Sequence, residues 1–285
     1  MHDAPILAET TAEIRRILGT ELDRVAVERA VIGLFFTGVK LNSGAAGACA
    51  TPLRSIPEAV CCPSSAMAMP FPGKLRGRSA RDLLKETGAA SGIRRAIGVA
   101  VMNALADMCW ERRPRPDVEL RIGIDAYDAA EIRPGEHVVV VGAFVPFIKA
   151  LKRAGQRFTV LEQDPATLKP DELPHFRPAA EAAAAVPEAD VLLVTGTTLL
   201  NDTFDGLLAP RRPGARVVMV GPTVGLLPDA FLRRGVDVMG GVRVTAPDAF
   251  LDLLAEGGSG LHFFGRSAEK VVLVRKDAAP SMRAA

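Results

Sequence analysis

The stretch HVVVVGAFVPFIKALKRAGQRFTVLE, residues 137–162, decides the fold class, because it places two short apolar runs on either side of a helix-like segment. Short valine-rich runs are typical of buried strands. Three more such runs follow at 189–196, 215–221 and 236–241, and helical segments separate several of them. Strands that alternate with helices form a parallel sheet covered on both faces. The second half of the chain is therefore predicted to be a Rossmann-like α/β domain.

The first half of the chain has a different pattern. A helix is predicted over residues 10–18, and the Val-, Ile- and Phe-rich residues 24–40 suit strands. The turn residues NSG at 42–44 lead into another strand made of small residues, so this half begins as a β-meander. Two helices are then predicted at 79–86 and 91–112, and the second should be largely buried because apolar residues surround much of it.

The segment RRPRPDVE, residues 112–119, marks the predicted domain boundary. Its two prolines end the preceding helix, and the pattern of strands changes after it. The predicted domains are therefore residues 1–114, an α+β domain, and residues 115–285, the Rossmann-like α/β domain.

Composition excludes several classes of protein. The chain has 285 residues, of which 48% are hydrophobic and 24% charged, as in globular proteins with a full core. The net charge of +2 predicts neither a nucleic-acid partner nor an anionic membrane partner. The first residues show no signal-peptide pattern, and no run reaches the roughly 18 apolar residues that span a bilayer, so a cytoplasmic location with reduced cysteines is expected.

Candidate binding residues follow the apolar runs, because ligands of open parallel sheets bind outside the carboxyl ends of the strands. This rule selects Gly142 and Phe144 after the first run and Gly221 after the fourth. It also selects Thr197 and Asn201 after the third, although Asn201 has a simpler interpretation as the cap of the next helix. Three polar, glycine-containing loops at one sheet edge predict a pocket for a small molecule.

Glu162 is a further candidate because it lies twenty positions after Gly142. At that spacing, the acid of a dinucleotide-binding domain holds a ribose hydroxyl. The loop itself is not G-x-G-x-x-G, since Phe144 and Phe147 fill it, so ordinary NAD chemistry is not predicted. Two interpretations of Glu162 stay open, namely ribose binding and the capping of a loop or pairing with a surface base.

The stretch CCPSSAMAMP, residues 61–70, raises the question of a metal site. Cys61 and Cys62, with Met67 and Met69, offer the soft sulfur ligands that a soft or transition metal ion prefers. The spacing contains no C-x-x-C, so a structural zinc site is not predicted. Metal ligation by Cys61 and Cys62 therefore stands beside the simpler interpretation that these cysteines are incidental. No nucleophile motif occurs in the sequence, and whether the chain is an enzyme stays open.

Six stretches in a fixed order carry a resemblance to a known family. They are FFTGVKLNSGAAGACAT, SGIRRAIGVAVMNAL, VVVVGAFVPFIKALK, TVLEQDP, VLLVTGTTLLNDTFDGLL and VGPTVGLLPDAFLRRGVDVMGG, and together they span most of the chain. In them the chain resembles the bacterial and archaeal proteins described as "putative heavy-metal chelation" proteins. These join an enolase N-terminal-like domain to a Rossmann-like domain.

The resemblance implies that the two halves meet over a shared cleft and that the function involves metals or metal chelators. It is also compatible with a homodimer. In an enolase-N-like meander the small-residue strand would face the Rossmann half, with Lys40 and Thr51 as substrate-binding candidates across the cleft. For Gly47 and Ala48, close packing of the 91–112 helix against the strand is the preferred interpretation.

Three functions are compatible with these observations. The first is the binding or processing of a metal ion, a small metal chelator or a related metabolite in the interdomain cleft. The second is an enzyme of small-molecule biosynthesis that uses a nucleoside cofactor of the S-adenosylmethionine or nicotinamide type. The third is a non-catalytic scaffold. The first two predict a small molecule or a metal chelate as the partner.

Overall fold

Two β-sheets organise the chain, which the computed structural model describes over residues 5–53, 71–90, 92–113 and 115–276. The strands are β1 Val27–Ile32, β2 Phe36–Leu41, β3 Ala46–Ala50, β4 Val118–Ile122, β5 Val138–Val141, β6 Phe158–Glu162, β7 Phe176–Pro178, β8 Val191–Thr195, β9 Arg216–Val220, β10 Val238–Val244 and β11 Ala268–Arg275. The α-helices are α1 Ile6–Leu18, α2 Ala80–Leu83, α3 Gly92–Arg112, α4 Ala126–Ala129, α5 Val145–Arg153, α6 Ala182–Ala185, α7 Phe204–Leu208, α8 Asp229–Arg233, α9 Pro247–Ala255 and α10 Gly260–Phe263. Over these ranges, no helix combines the length and the apolar character that a bilayer crossing needs.

The larger sheet has the order β4-β11-β10-β9-β8-β5-β6-β7. The strands from β10 to β7 in this order all run parallel, which is the doubly wound arrangement of a Rossmann domain. The strand order reverses between β5 and β8, so the crevice for a ligand is expected there. The predicted parallel sheet is confirmed. The pattern does not predict β4, β7 and β11, because charged residues interrupt β4 and β11 and β7 has only three residues.

Helices cover both faces of this sheet, as the sequence predicts. On one face, Val138 and Val140 of β5 belong to the same apolar core as Ile148 and Leu151 of α5. On the other face, the intervening valines of β5 belong to a larger core that includes most of α3. The uninterrupted valine run is therefore explained by burial on both sides.

The smaller sheet, with the order β1-β2-β3, lies between α3 and α9. A Cβ atom at Gly47 would overlap the backbone of α3 at Ala100 and Ala104, so the close packing predicted for Gly47 is confirmed. Ala48 points to the opposite face and packs with Phe250 of α9 and its neighbours, which corrects the prediction that Ala48 also packs against the 91–112 helix. The reason is the alternation of side chains along a strand.

Helix α9 comes from the second half of the sequence but packs on β1 and β2 of the first half. An exposed ion pair also crosses this contact, since a guanidinium nitrogen of Arg29 in β1 lies 2.6 Å from Oδ1 of Asp252 in α9. The two halves therefore share a packed interface, and the division at residue 114 stays a prediction.

Candidate functional site

The turn after β5 lies at the reversal of strand order and is built by two residues. Gly142 has a φ of +95°, a conformation that favours glycine, and a Cβ there would lie 2.9 Å from Thr195 Cγ2 of β8. The N–H of Ala143 donates to Oε2 of Glu162 at 2.9 Å, and the N–H of Gln163 donates to Oε1 at 2.7 Å. Glu162 thus ties the turn to the end of β6, which is the capping role considered from the sequence.

The turn after β8 is closed by its own hydroxyl groups. The hydroxyl of Thr198 donates to the carbonyl of Thr195 at 2.7 Å, while the exposed Thr197 contacts the Thr195 hydroxyl at 3.2 Å. Oδ1 of Asn201 accepts hydrogen bonds from the N–H and the hydroxyl of Thr203, just before α7. The polar cluster predicted as a binding site therefore also stabilises the turn in which it lies.

Residues of the first half of the chain form hydrogen bonds with the loop after β9. The buried hydroxyl of Thr223 accepts a hydrogen bond from the N–H of Ala50 in β3 at 3.1 Å. Nδ2 of Asn103 in α3 donates to the carbonyls of Ala48 at 2.8 Å, Thr223 at 3.1 Å and Pro222 at 3.2 Å. Asn103 therefore joins α3, the small sheet and this loop. Asn103 was not predicted, although a lone Asn within a mainly apolar, buried helix was an available signal.

A pocket of about 580 Å³ opens beside this loop, outside the carboxyl end of β9 and along β10. Its walls are mainly apolar and include backbone at Gly221, Gly240 and Gly241. Five aromatic side chains line it, namely Phe36, Phe144, Phe147, Phe263 and Phe264. The volume and the apolar lining fit a small organic molecule.

One ion pair lies in the wall of this pocket. Nζ of Lys270 in β11 contacts Oδ2 of Asp125 at 2.6 Å and lies 5.6 Å from the ring centroid of Phe264. Oδ1 of Asp125 accepts the N–H of Tyr127 at 3.0 Å and so caps α4. Asp125 and Lys270 are the ionisable side chains among the described residues that line the pocket.

The predicted site residues divide between this pocket and its surroundings. Phe144 and Gly221 line the pocket. The other four candidates of the Rossmann half form the two turns at the strand-order reversal, and they are Gly142, Glu162, Thr197 and Asn201. Phe36, Asp125 and Lys270 were not predicted, because they come from three distant segments of the sequence.

Lys40 and Thr51 hold the small sheet in place. Nζ of Lys40 lies 2.8 Å from carboxylate oxygens of both Asp248 and Glu28, and these hydrogen bonds raise the pKa of Lys40. The hydroxyl of Thr51 donates to the carbonyl of Gly33 at 2.8 Å, and the Thr51 side chain is buried. Neither residue lines the pocket described above.

The donor set of the pocket does not fit a bare metal ion. Its one described carboxylate, Asp125, is paired with Lys270. The described part of the chain contains no group of three or more His, Cys, Asp and Glu residues that could hold a metal. Burial raises the pKa of Cys49 and Cys109 to about 12, which disfavours the thiolate that a metal requires. Cys61 and Cys62, the predicted ligands, lie outside the described residues.

Comparison with family models gives two matches. The DUF364 model, with the description "Putative heavy-metal chelation", matches residues 125–273. The DUF4213 model, with the same description, matches residues 15–106.

One relative and two solved structures, all three of unknown function, are similar to this chain. An uncharacterised protein of Methanocaldococcus jannaschii is 28% identical over 179 residues, and the match covers 61% of this chain but only 64% of that protein. The DUF364-family structure from Pyrococcus horikoshii has a TM-score of 0.71 at 18% identity, covering 94% of this chain and 98% of that one. The DUF364-family structure from Desulfitobacterium hafniense has a TM-score of 0.70 at 19% identity, covering 97% and 100%. Both structures share the fold described above.

Proposed function

Because this chain belongs to the DUF364 family, whose description is "Putative heavy-metal chelation", we propose that it binds a small organic metal chelator, or the chelate with its metal, in the pocket beside β9 and β10. The observation that carries the proposal is the chemistry of the pocket walls. Five phenylalanines suit the body of an organic molecule, whereas a bare ion would find a single carboxylate that is already paired. The metal is therefore cargo that arrives within its organic ligand.

Filling the pocket should remove the ligand. Val242 lines the pocket and is only partly buried, so Val242→Trp adds an indole ring in the pocket wall. We expect native mass spectrometry of freshly purified protein to show a retained organic mass in the wild type and its loss in Val242→Trp. Elemental analysis of the same samples should show any metal disappearing together with that mass.

The matched control is Leu173→Trp, which adds the same side chain at an exposed position outside the pocket and should keep the ligand. A metal that stays bound in Val242→Trp without an organic mass would contradict the proposal.

Elemental analysis of a Cys61→Ser, Cys62→Ser double variant tests direct metal ligation by these cysteines. Loss of a thiophilic metal there would support direct ligation by these cysteines, and unchanged metal content would exclude it.

A nucleoside-containing cofactor is the second candidate, and the doubly wound strand order favours it. Glu162 lies at the end of β6 beside the turn that a ribose would approach. If its carboxylate holds the ribose hydroxyls, Glu162→Gln should weaken the binding of S-adenosylmethionine or NAD by about tenfold, the loss of a charge-assisted hydrogen bond. Calorimetric titration measures this, and thermal melting of the variant separates the effect from a loosened turn. Equal affinities in the two proteins would count against the cofactor.

A further inference from the structure

The ion pair in the pocket wall joins two elements that are distant in sequence. Asp125 precedes α4, and Lys270 lies within β11. The N–H of Tyr127 holds one oxygen of Asp125, and the ammonium of Lys270 holds the other. The pair therefore has a defined position against the phenylalanine-lined cavity.

Both partners keep hydrogen-bonding capacity. A lysine ammonium has three N–H donors, and each carboxylate oxygen can accept two hydrogen bonds. Among the described residues, Lys270 donates to Asp125, and each oxygen of Asp125 accepts one hydrogen bond. The side chain of Lys270 is 42% exposed and that of Asp125 is 28% exposed, so a ligand in the pocket can reach both.

The net charge of the pair is zero, and this determines which head group fits it. A lone carboxylate that approaches Lys270 is repelled by the adjacent Asp125, and a lone ammonium that approaches Asp125 is repelled by Lys270. A head group with both charges side by side meets opposite charges on both atoms. It gains two charge-assisted hydrogen bonds and leaves the existing pair intact.

We propose that this pocket selects a ligand whose head group carries an ammonium and a carboxylate side by side, as an α-amino acid does, on an aromatic or apolar body. The body lies against the phenylalanine side chains, and the head group lies on Asp125 and Lys270. This inference rests on the proposed function, since it names the class of organic molecule that the same pocket takes.

Four probes that share one indole ring test the head group. L-Tryptophan carries both charges, tryptamine only the ammonium, indole-3-propionate only the carboxylate, and 3-methylindole neither. Calorimetric or NMR titration of the full chain at pH 7 should find tryptophan bound about fivefold more tightly than either singly charged probe. We expect 3-methylindole to bind more weakly than tryptophan, through its ring alone.

Two variants should reverse the order of affinities. Lys270→Met leaves Asp125 without its partner, so tryptamine should become the tightest of the four probes. Asp125→Asn leaves Lys270 without its partner while an amide oxygen can still cap α4, so indole-3-propionate should become the tightest. The matched control, Lys149→Met, removes an exposed lysine of α5 outside the pocket and should leave the wild-type order unchanged.

Equal binding of all four probes by the wild type would overturn the head-group inference and leave the pocket as a general organic site. An unchanged order in both pocket variants would overturn it as well. Binding of none of the probes would also refute the inference. The proposed function is then judged separately, from the organic mass retained by the wild type and lost in Val242→Trp.

Discussion

Replacing Gly47 with alanine should lower the midpoint of thermal unfolding by about 6 °C, which corresponds to about 3 kcal/mol in a chain of this size. The added Cβ would overlap Ala104 N and Ala100 O and would lie 2.8 Å from the carbonyl carbon of Asn103. These are backbone atoms of α3, so no side-chain rotation can relieve the overlap. The helix must move away from β3, and the apolar contacts along it weaken.

Gly206→Ala in α7 is the matched control for Gly47→Ala. Its new Cβ would have no heavy atom within 4 Å, and its φ is not positive, so the midpoint should stay the same or rise. Circular dichroism during heating gives the midpoint of thermal unfolding of the wild type, Gly47→Ala and Gly206→Ala. If Gly47→Ala has the same unfolding midpoint as the wild type, the packing of α3 on β3 does not require a glycine at this position.

Replacing Asn103 with aspartate should cost about 3 kcal/mol or more of the free energy of unfolding at pH 7. The amide that donates to three carbonyls becomes a carboxylate that faces the same three oxygens in a buried position. Asn103→Leu removes the donor without adding charge, so it should cost less than Asn103→Asp at this pH.

The two variants at Asn103 should also differ in pH dependence. Burial among carbonyl oxygens would raise the pKa of the new carboxyl above its value of about 3.9 in the unfolded chain. The folded state then binds the proton more tightly, so Asn103→Asp should lose stability as pH rises from about 4 to 7. The stability deficit of Asn103→Leu relative to the wild type should not depend on pH. Denaturant titrations at both pH values measure this.

A binding measurement connects Asn103 to the pocket. Pro222 accepts from Asn103 and lines the pocket, so Asn103→Leu should also weaken the binding of 3-methylindole. In the stability measurements, the same pH dependence for Asn103→Asp and Asn103→Leu would mean that the side chain at position 103 does not face the three carbonyl oxygens.

The proposed chelator binding depends on pocket residues of which the sequence predicts only some. Phe144 and Gly221 follow apolar runs. They were predicted as binding residues because ligands bind outside the carboxyl ends of parallel strands, and both line the pocket. The rule also selected the residues of the β5 and β8 turns, where hydrogen bonds such as that from Ala143 to Glu162 stabilise the backbone. Sequence position alone cannot separate a side chain that closes a turn from one that awaits a ligand.

The sequence by itself determined the parallel sheet, since runs such as residues 137–142 are apolar without alternation and need burial on both faces. It also determined the turn at 42–44 and the long buried helix, because these depend on neighbouring residues. Local periodicity and turn chemistry act over a few residues, and both are visible in the order of the amino acids.

Only the tertiary structure decided what the small-residue strand is for and where the charges of the pocket lie. Gly47 allows α3 to approach β3, and that helix then carries Asn103 to the loop that lines the pocket. Asp125 and Lys270 are separated by 145 positions, yet their charged atoms lie 2.6 Å apart. Contacts of this kind depend on how distant strands are ordered in the sheet, and no local pattern in the sequence records that order.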